Sequence, residues 1–205
     1  EVIAGVGGAT KSEGRTLPPR ATVTRPQVIL TSRMATPIQT ARASGSRPMS
    51  RPIRVGSQRR TRTPTATSVA TSSGTAALHV ALGAAGISVG DEVITSPITD
   101  QGTVVGILYQ NAIPIFADLD PYSYTMTAES IEEKITAKTK AIIVVHLAGN
   151  PCDMDPIMEL AKKYNLRVIE DCAQSYLTTY KGQLTGTIGH YGCFSTNDFK
   201  HISTG

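Results

Sequence analysis

Residues 139–175 read TKAIIVVHLAGNPCDMDPIMELAKKYNLRVIEDCAQS, and their pattern decides the fold class. Ala141–His146 is a short apolar run that predicts a buried strand. Asp155–Tyr164 has helical spacing, with Pro156 near its start, where a missing N–H costs nothing. Arg167–Glu170 is a second short apolar run. A strand, a helix and a strand in so little chain form a parallel pair joined by a crossover helix.

Outward from this unit the same alternation continues. Glu92–Thr95, Ile113–Ala117 and Gly192–Ser195 predict further strands. Helical patterns lie at Thr75–Ala85, Gly102–Gln110 and Ala128–Lys134, the last with Glu129 in its first turn. The expectation is an α/β fold, a layered, mostly parallel sheet over residues 71–205. In such sheets ligands gather outside the carboxyl ends of the strands, which directs attention to the loops after residues 95, 117, 146, 170 and 195.

Residues 1–70 have a different texture. They hold twelve basic residues against two acids, while residues 71–205 hold eight against fourteen, so the net charge of +4 describes neither part. Eleven of the twelve are arginine, and there is no Phe, Tyr, Trp, His, Cys, Asp or Asn. Prolines at 18, 19, 26, 37, 48, 52 and 64 interrupt every candidate helix. Val28-Ile29-Leu30 is the sole apolar run and is too short to seed a core. The expectation is a low-complexity basic segment that is disordered or mistranslated, outside a core that begins at residue 71. An out-of-frame translation of GC-rich DNA would have this composition, and a nucleic-acid or membrane-surface arm is the functional alternative.

Other classes find little support. No run of 18 apolar residues is present, so no membrane span is expected. Cys152, Cys172 and Cys193 are odd in number and lack CxxC spacing, which fits a reduced, cytoplasmic setting. No HxxxH or clustered Cys/His spacing supports a metal, and His146 and His201 read as polar lining.

Three stretches can carry chemistry. Ser72-Ser73-Gly74-Thr75 puts small residues before a helix, whose free N–H groups suit a phosphate, although Ser73 could equally be an N-cap. Asp171 ends a strand buried on both faces and needs a cationic or hydrogen-bonding partner, which a protonated pyridine or a salt bridge would supply. Lys200 follows the last strand, with Ser195 five residues before it. A lysine there can attack an aldehyde when deprotonated, or be an ordinary surface lysine.

In combination these stretches resemble the DegT/DnrJ/StrS family of pyridoxal-phosphate (PLP) sugar aminotransferases, a branch of the aspartate-aminotransferase type I fold. The resemblance is carried by SSGTAALHVAL, GDEVITSPIT, AIPIFADLDP, the 139–175 stretch, YKGQLTGTIGHYGCFS and KHISTG, in the family's order. It covers about two thirds of the chain and none of residues 1–70. It implies a three-layer PLP-transferase large domain, incomplete here because the chain ends shortly after Lys200. Gly74 and Thr75 then resemble the backbone donors to the cofactor phosphate, and Ser195 the hydroxyl on it. Asp171 resembles the carboxylate on the pyridine nitrogen, Gln174 the side chain near the ring's 3-hydroxyl, and Lys200 the Schiff-base lysine and proton shuttle. The family's aromatic ring over the cofactor falls near Asp100, so its replacement is open.

The resemblance implies amino transfer from glutamate or glutamine to a keto-sugar, nucleotide-linked, or to a keto-cyclitol. It also implies a homodimer for the full-length parent, with no nucleic-acid or membrane partner. These 205 residues alone are expected to be inactive. Two alternatives stand: a PLP-dependent sugar dehydratase, in which the lysine is replaced by histidine, and a non-catalytic PLP- or sugar-binding regulator.

Overall fold

The computed structural model describes residues 27–31 and 68–203. The strands are β1 (Gln27–Thr31), β2 (Ser68–Thr71), β3 (Glu92–Thr95), β4 (Ile113–Phe116), β5 (Thr139–Val145), β6 (Arg167–Asp171), β7 (Thr179–Tyr180), β8 (Gln183–Leu184) and β9 (Tyr191–Cys193). Among the described residues, four α-helices accompany them: α1 (Gly74–Ala84), α2 (Gln101–Tyr109), α3 (Ala128–Glu132) and α4 (Met154–Tyr164). Seven strands form one sheet in the order β2-β1-β9-β6-β5-β3-β4, and β7 and β8 make a separate antiparallel hairpin. Every neighbouring pair in the large sheet is parallel.

The pleat sorts the core. Along β5, Ala141 and Ile143 face α1 and α2, where they meet Ala77, Leu78, Leu82 and Ile107. Ile142 and Val144 face the other way, against Ile131 of α3 and Met154 and Ile157 of α4. Both faces are therefore covered, as the continuous apolar runs of the central strands require. Helix α1 packs closely on α2 because Gly106 carries no side chain; a Cβ there would lie 3.3 Å from the Leu78 Cβ. Helix α4 has Asp155 in its first turn and Lys162 and Lys163 in its last, in keeping with the helix dipole. It ends on Asn165 at φ 55°, a left-handed cap.

The sequence expectation differs from the structure most before residue 71. Gln27–Thr31 was expected outside the core, yet it is a strand, with Ile29 opposite Cys193 of β9 on one side and Val69 of β2 on the other. A run too short to seed a core can still pair into a sheet, because the backbone groups of a neighbouring strand need partners. Ser68–Ala70, also expected outside the core, belong to β2. The rest of the expectation for residues 1–70 lies outside the described residues. Among the described residues, no helix is long and apolar enough to cross a membrane.

Candidate active site

The carboxyl ends of β6 and β9 and the N-termini of α1 and α2 enclose a cleft of about 160 Å³. At one end lies the start of α1. Ser73 has extended backbone and its Oγ accepts from the Ala76 N–H at 3.1 Å, so Ser73 is an N-cap as well as part of the cleft wall. Gly74 opens the helix directly opposite Ser195, which follows β9. A Cβ on Gly74 would stand 3.2 Å from the Ser195 Cβ, so a glycine keeps the space between them open. Gly74, Thr75 and Ser195 thus share one end of the cleft, where first-turn N–H groups and a hydroxyl are available to an anion.

The other end is built on Asp171. Strand β6 sends its last two side chains to opposite faces, and Asp171 points to the face of α1 and α2. It is buried and forms no ion pair among the described residues. Its Oδ2 accepts from the Thr103 hydroxyl at 2.7 Å, and its Oδ1 from the Ala173 N–H at 3.0 Å. Burial pushes the Asp171 carboxyl above its ordinary range; these two hydrogen bonds and the field of Lys200 pull it partly back. A buried carboxylate held this way has acceptor capacity left for a cationic donor.

Lys200 lines the same cleft, half-buried, with its backbone N–H on the Asn197 carbonyl at 2.9 Å. Of the six residues expected at the cofactor, Gly74, Thr75, Asp171, Ser195 and Lys200 are brought together. Gln174 is not among the residues that line the cleft. Its Oε1 accepts from the Ala148 N–H at 3.0 Å. Asp100, where an aromatic ring would be expected, lines the cleft and caps α2 by accepting from the Gly102 N–H at 2.8 Å. Thr103 escaped the sequence reading. It is one threonine among many, and its partner lies 68 residues away.

The opposite face corrects a second expectation. His146 is fully buried there and does not line the cleft, and His201 is exposed. His146 Nδ1 accepts from the Cys152 N–H at 3.1 Å, so its proton sits on Nε2, which donates to Glu170 Oε2 at 3.1 Å. Glu170 also accepts from the N–H groups of Gly186, Ile188 and Gly189 at 2.7, 2.8 and 2.6 Å. Ligand-type atoms of His146, Glu170 and Cys172 lie within 4.8 Å of one another. Both His146 nitrogens and both Glu170 oxygens are already engaged, however, and burial holds the Cys172 thiol protonated well above its ordinary pKa. The cluster is a hydrogen-bonded knot that ties the loop after β8 to the sheet.

Residues 61–205 match the model of the DegT/DnrJ/EryC1/StrS aminotransferase family. The chain belongs to that family. It is 53% identical to a GDP-perosamine synthase of Escherichia coli O157:H7 over 129 residues, which is 63% of this chain and 35% of the relative. Among solved structures it is similar to an aminotransferase from Psychrobacter cryohalolentis, with a TM-score of 0.64 and 50% identity over 65% of this chain and 34% of that one. It is also similar to NtdA from Bacillus subtilis, solved with bound cofactor PMP, with a TM-score of 0.61 and 35% identity over 65% of this chain and 30% of that one. The chain spans about a third of the length of the curated relatives it matches.

The family's cofactor is pyridoxal phosphate, and the residues present fit it. The buried Asp171 carboxylate, without an ion-pair partner among the described residues, suits a protonated pyridine nitrogen. The opening that Gly74 leaves beside Ser195 suits a phosphate, and the Lys200 amine stands on the same cleft.

Proposed function

We propose that this chain carries the cofactor half of a PLP-dependent sugar aminotransferase site, with Lys200 as the covalent and proton-moving residue. The observation that carries the reading is the convergence of a buried carboxylate, Asp171, and an amine, Lys200, on one cleft. Gly74, Thr75 and Ser195 hold the phosphate. Asp171 holds a proton on the ring nitrogen as its ion-pair partner. When bound, pyridoxal phosphate supplies an aldehyde that condenses with amines and a ring that accepts the electrons left by deprotonation. Lys200 would be the amine that holds the cofactor covalently and, when released as the free amine, the base whose Nζ would take up and return a proton beside it.

The donor is glutamate or glutamine. The acceptor is a keto-sugar, and the nucleotide in the name of the E. coli relative supports a nucleotide-linked one. A homodimer completes the site. The dehydratase alternative needs a histidine in place of the lysine. Here Lys200 lines the cleft while His201 is exposed, which favours amino transfer.

The test is reduction of the PLP-loaded full-length protein with borohydride, followed by peptide mapping. The cofactor is expected on the peptide that holds Lys200. A label on Lys181 or another lysine would overturn the assignment.

A further inference from the structure

We propose that Thr103 is a positioning residue for Asp171, the end of a two-hydroxyl relay from Thr99 that keeps the carboxylate ionised and fixed in the cleft. This rests on reading Asp171 as the partner of the cofactor's ring nitrogen.

Thr103 is fully buried in the first turn of α2, and its Oγ1 lies 2.7 Å from Asp171 Oδ2. The same Oγ1 lies 2.7 Å from the Thr99 hydroxyl. A hydroxyl has one proton to give, so when Thr103 donates to the carboxylate it must accept from Thr99, and the direction of the relay follows. The Ala173 N–H engages the other oxygen at 3.0 Å. With both oxygens held, the plane of the carboxylate is set, and the remaining lone pairs are free for a donor in the cleft.

Helix α2 has little room to carry Thr103 away from Asp171. Asp100 caps it, and Gly102 is packed so that an added Cβ would come within 2.5 Å of the Thr75 Oγ1. Hydrogen bonds to a charged carboxylate favour the charged form and are stronger than neutral ones. Burial works in the opposite sense on Asp171, and the Thr103 hydroxyl is the strongest influence against it. Thr103 also lines the cleft, but its hydroxyl is taken up by Asp171 and Thr99, so its effect on the ring nitrogen passes through Asp171.

The experiment loads the full-length protein with PLP carrying ¹⁵N in the ring, and reads the ring-nitrogen resonance and the PLP dissociation constant. The variants are Thr103→Val, Thr103→Ser, Thr99→Val and Asp171→Asn. Thr103→Val keeps the shape and removes the hydroxyl. It is expected to move the resonance toward that of an unprotonated ring and to weaken PLP about tenfold, the scale of one hydrogen bond to a charged group. Thr103→Ser restores the donor and should return both readouts toward the original. Thr99→Val should shift the resonance in the same direction by less. A Thr103→Val protein identical to the original in resonance and affinity overturns the proposal. Should that variant fail to fold, an unshifted resonance in Thr99→Val overturns the relay. An Asp171→Asn protein with an unmoved resonance removes the reading of Asp171 itself, and the proposal with it. A moved resonance there, with Thr103→Val unmoved, refutes the proposal alone.

Discussion

Glu170 and Asp171 are adjacent in the chain and both buried, yet they meet opposite surroundings. A strand sends consecutive side chains to opposite faces, so Glu170 enters the layer of α3 and α4 and Asp171 the layer of α1 and α2. Glu170 accepts three backbone N–H groups and the His146 Nε2–H. Asp171 accepts one hydroxyl and one N–H and opens on a cleft that also holds Lys200. A buried charge whose donors are all internal holds a fold together. One that is only partly served, and faces a cleft, is suited to a ligand.

The largest effect expected from this contrast is on stability. Glu170→Ala leaves four donors without an acceptor in a buried place. It should cost about 3–5 kcal/mol, the scale for breaking a buried charged network. Denaturant unfolding of the variant reads this directly. A loss under about 1 kcal/mol, the value of a single ordinary hydrogen bond, would break the contrast on the structural side.

Asp171→Asn should invert that outcome. Amino transfer is expected to fall by on the order of 100-fold, as when a preorganised electrostatic partner is removed. The unliganded protein, relieved of a buried anion, should be no less stable than before. Near-normal turnover in steady-state assays of the full-length protein would contradict the functional side.

A smaller effect concerns pH in the unliganded protein. Burial raises the Asp171 carboxyl above its ordinary value of 3.8, so the folded state binds its proton more readily than the unfolded state does. The stability this group contributes is therefore present in full at low pH and lost as pH rises through the raised folded value. Asp171→Asn should gain relative stability at neutral pH. The gap to the original should narrow as pH falls from that raised value toward 3.8. Unfolding curves for both proteins across this window check it, and a gap that widens on acidification would refute it.

The smallest effect is an absence of reaction. Cys152, Cys172 and Cys193 are buried, and burial pushes the Cys152 thiol up to about 12. The thiolate is the reactive form, so none of the three should label with a thiol reagent at mild pH until the protein unfolds. Labelling of Cys172 in the folded state would show that the knot around Glu170 opens.

Much of this was legible in the residues alone. Glu92–Thr95 was read as a strand with the bounds it has, and the four helices fall within a few residues of their expected places. Short apolar runs and helical periodicity are local properties, and burial on both sheet faces follows from them. The approach of Gly74, Thr75, Asp171, Ser195 and Lys200 was legible through the resemblance. What distances along the chain conceal was not. The β7–β8 hairpin is two residues per strand, below what an alternating pattern can mark, and β1 gains its place from β9 and β2 rather than from its own composition.

By itself, the sequence determined the layered α/β class, the division of texture near residue 70 and the small set of side chains able to serve PLP. Tertiary structure alone decided which of two neighbouring acids faces the cleft and which ties the fold together. It alone placed Thr103 on Asp171, turned Gln174 to Ala148 and sent His146 to the far face. The physical reason is that periodicity and composition report how each segment is buried. The partner of a buried polar group depends instead on how segments far apart in the chain are packed, as Thr103 and Asp171 are across 68 residues.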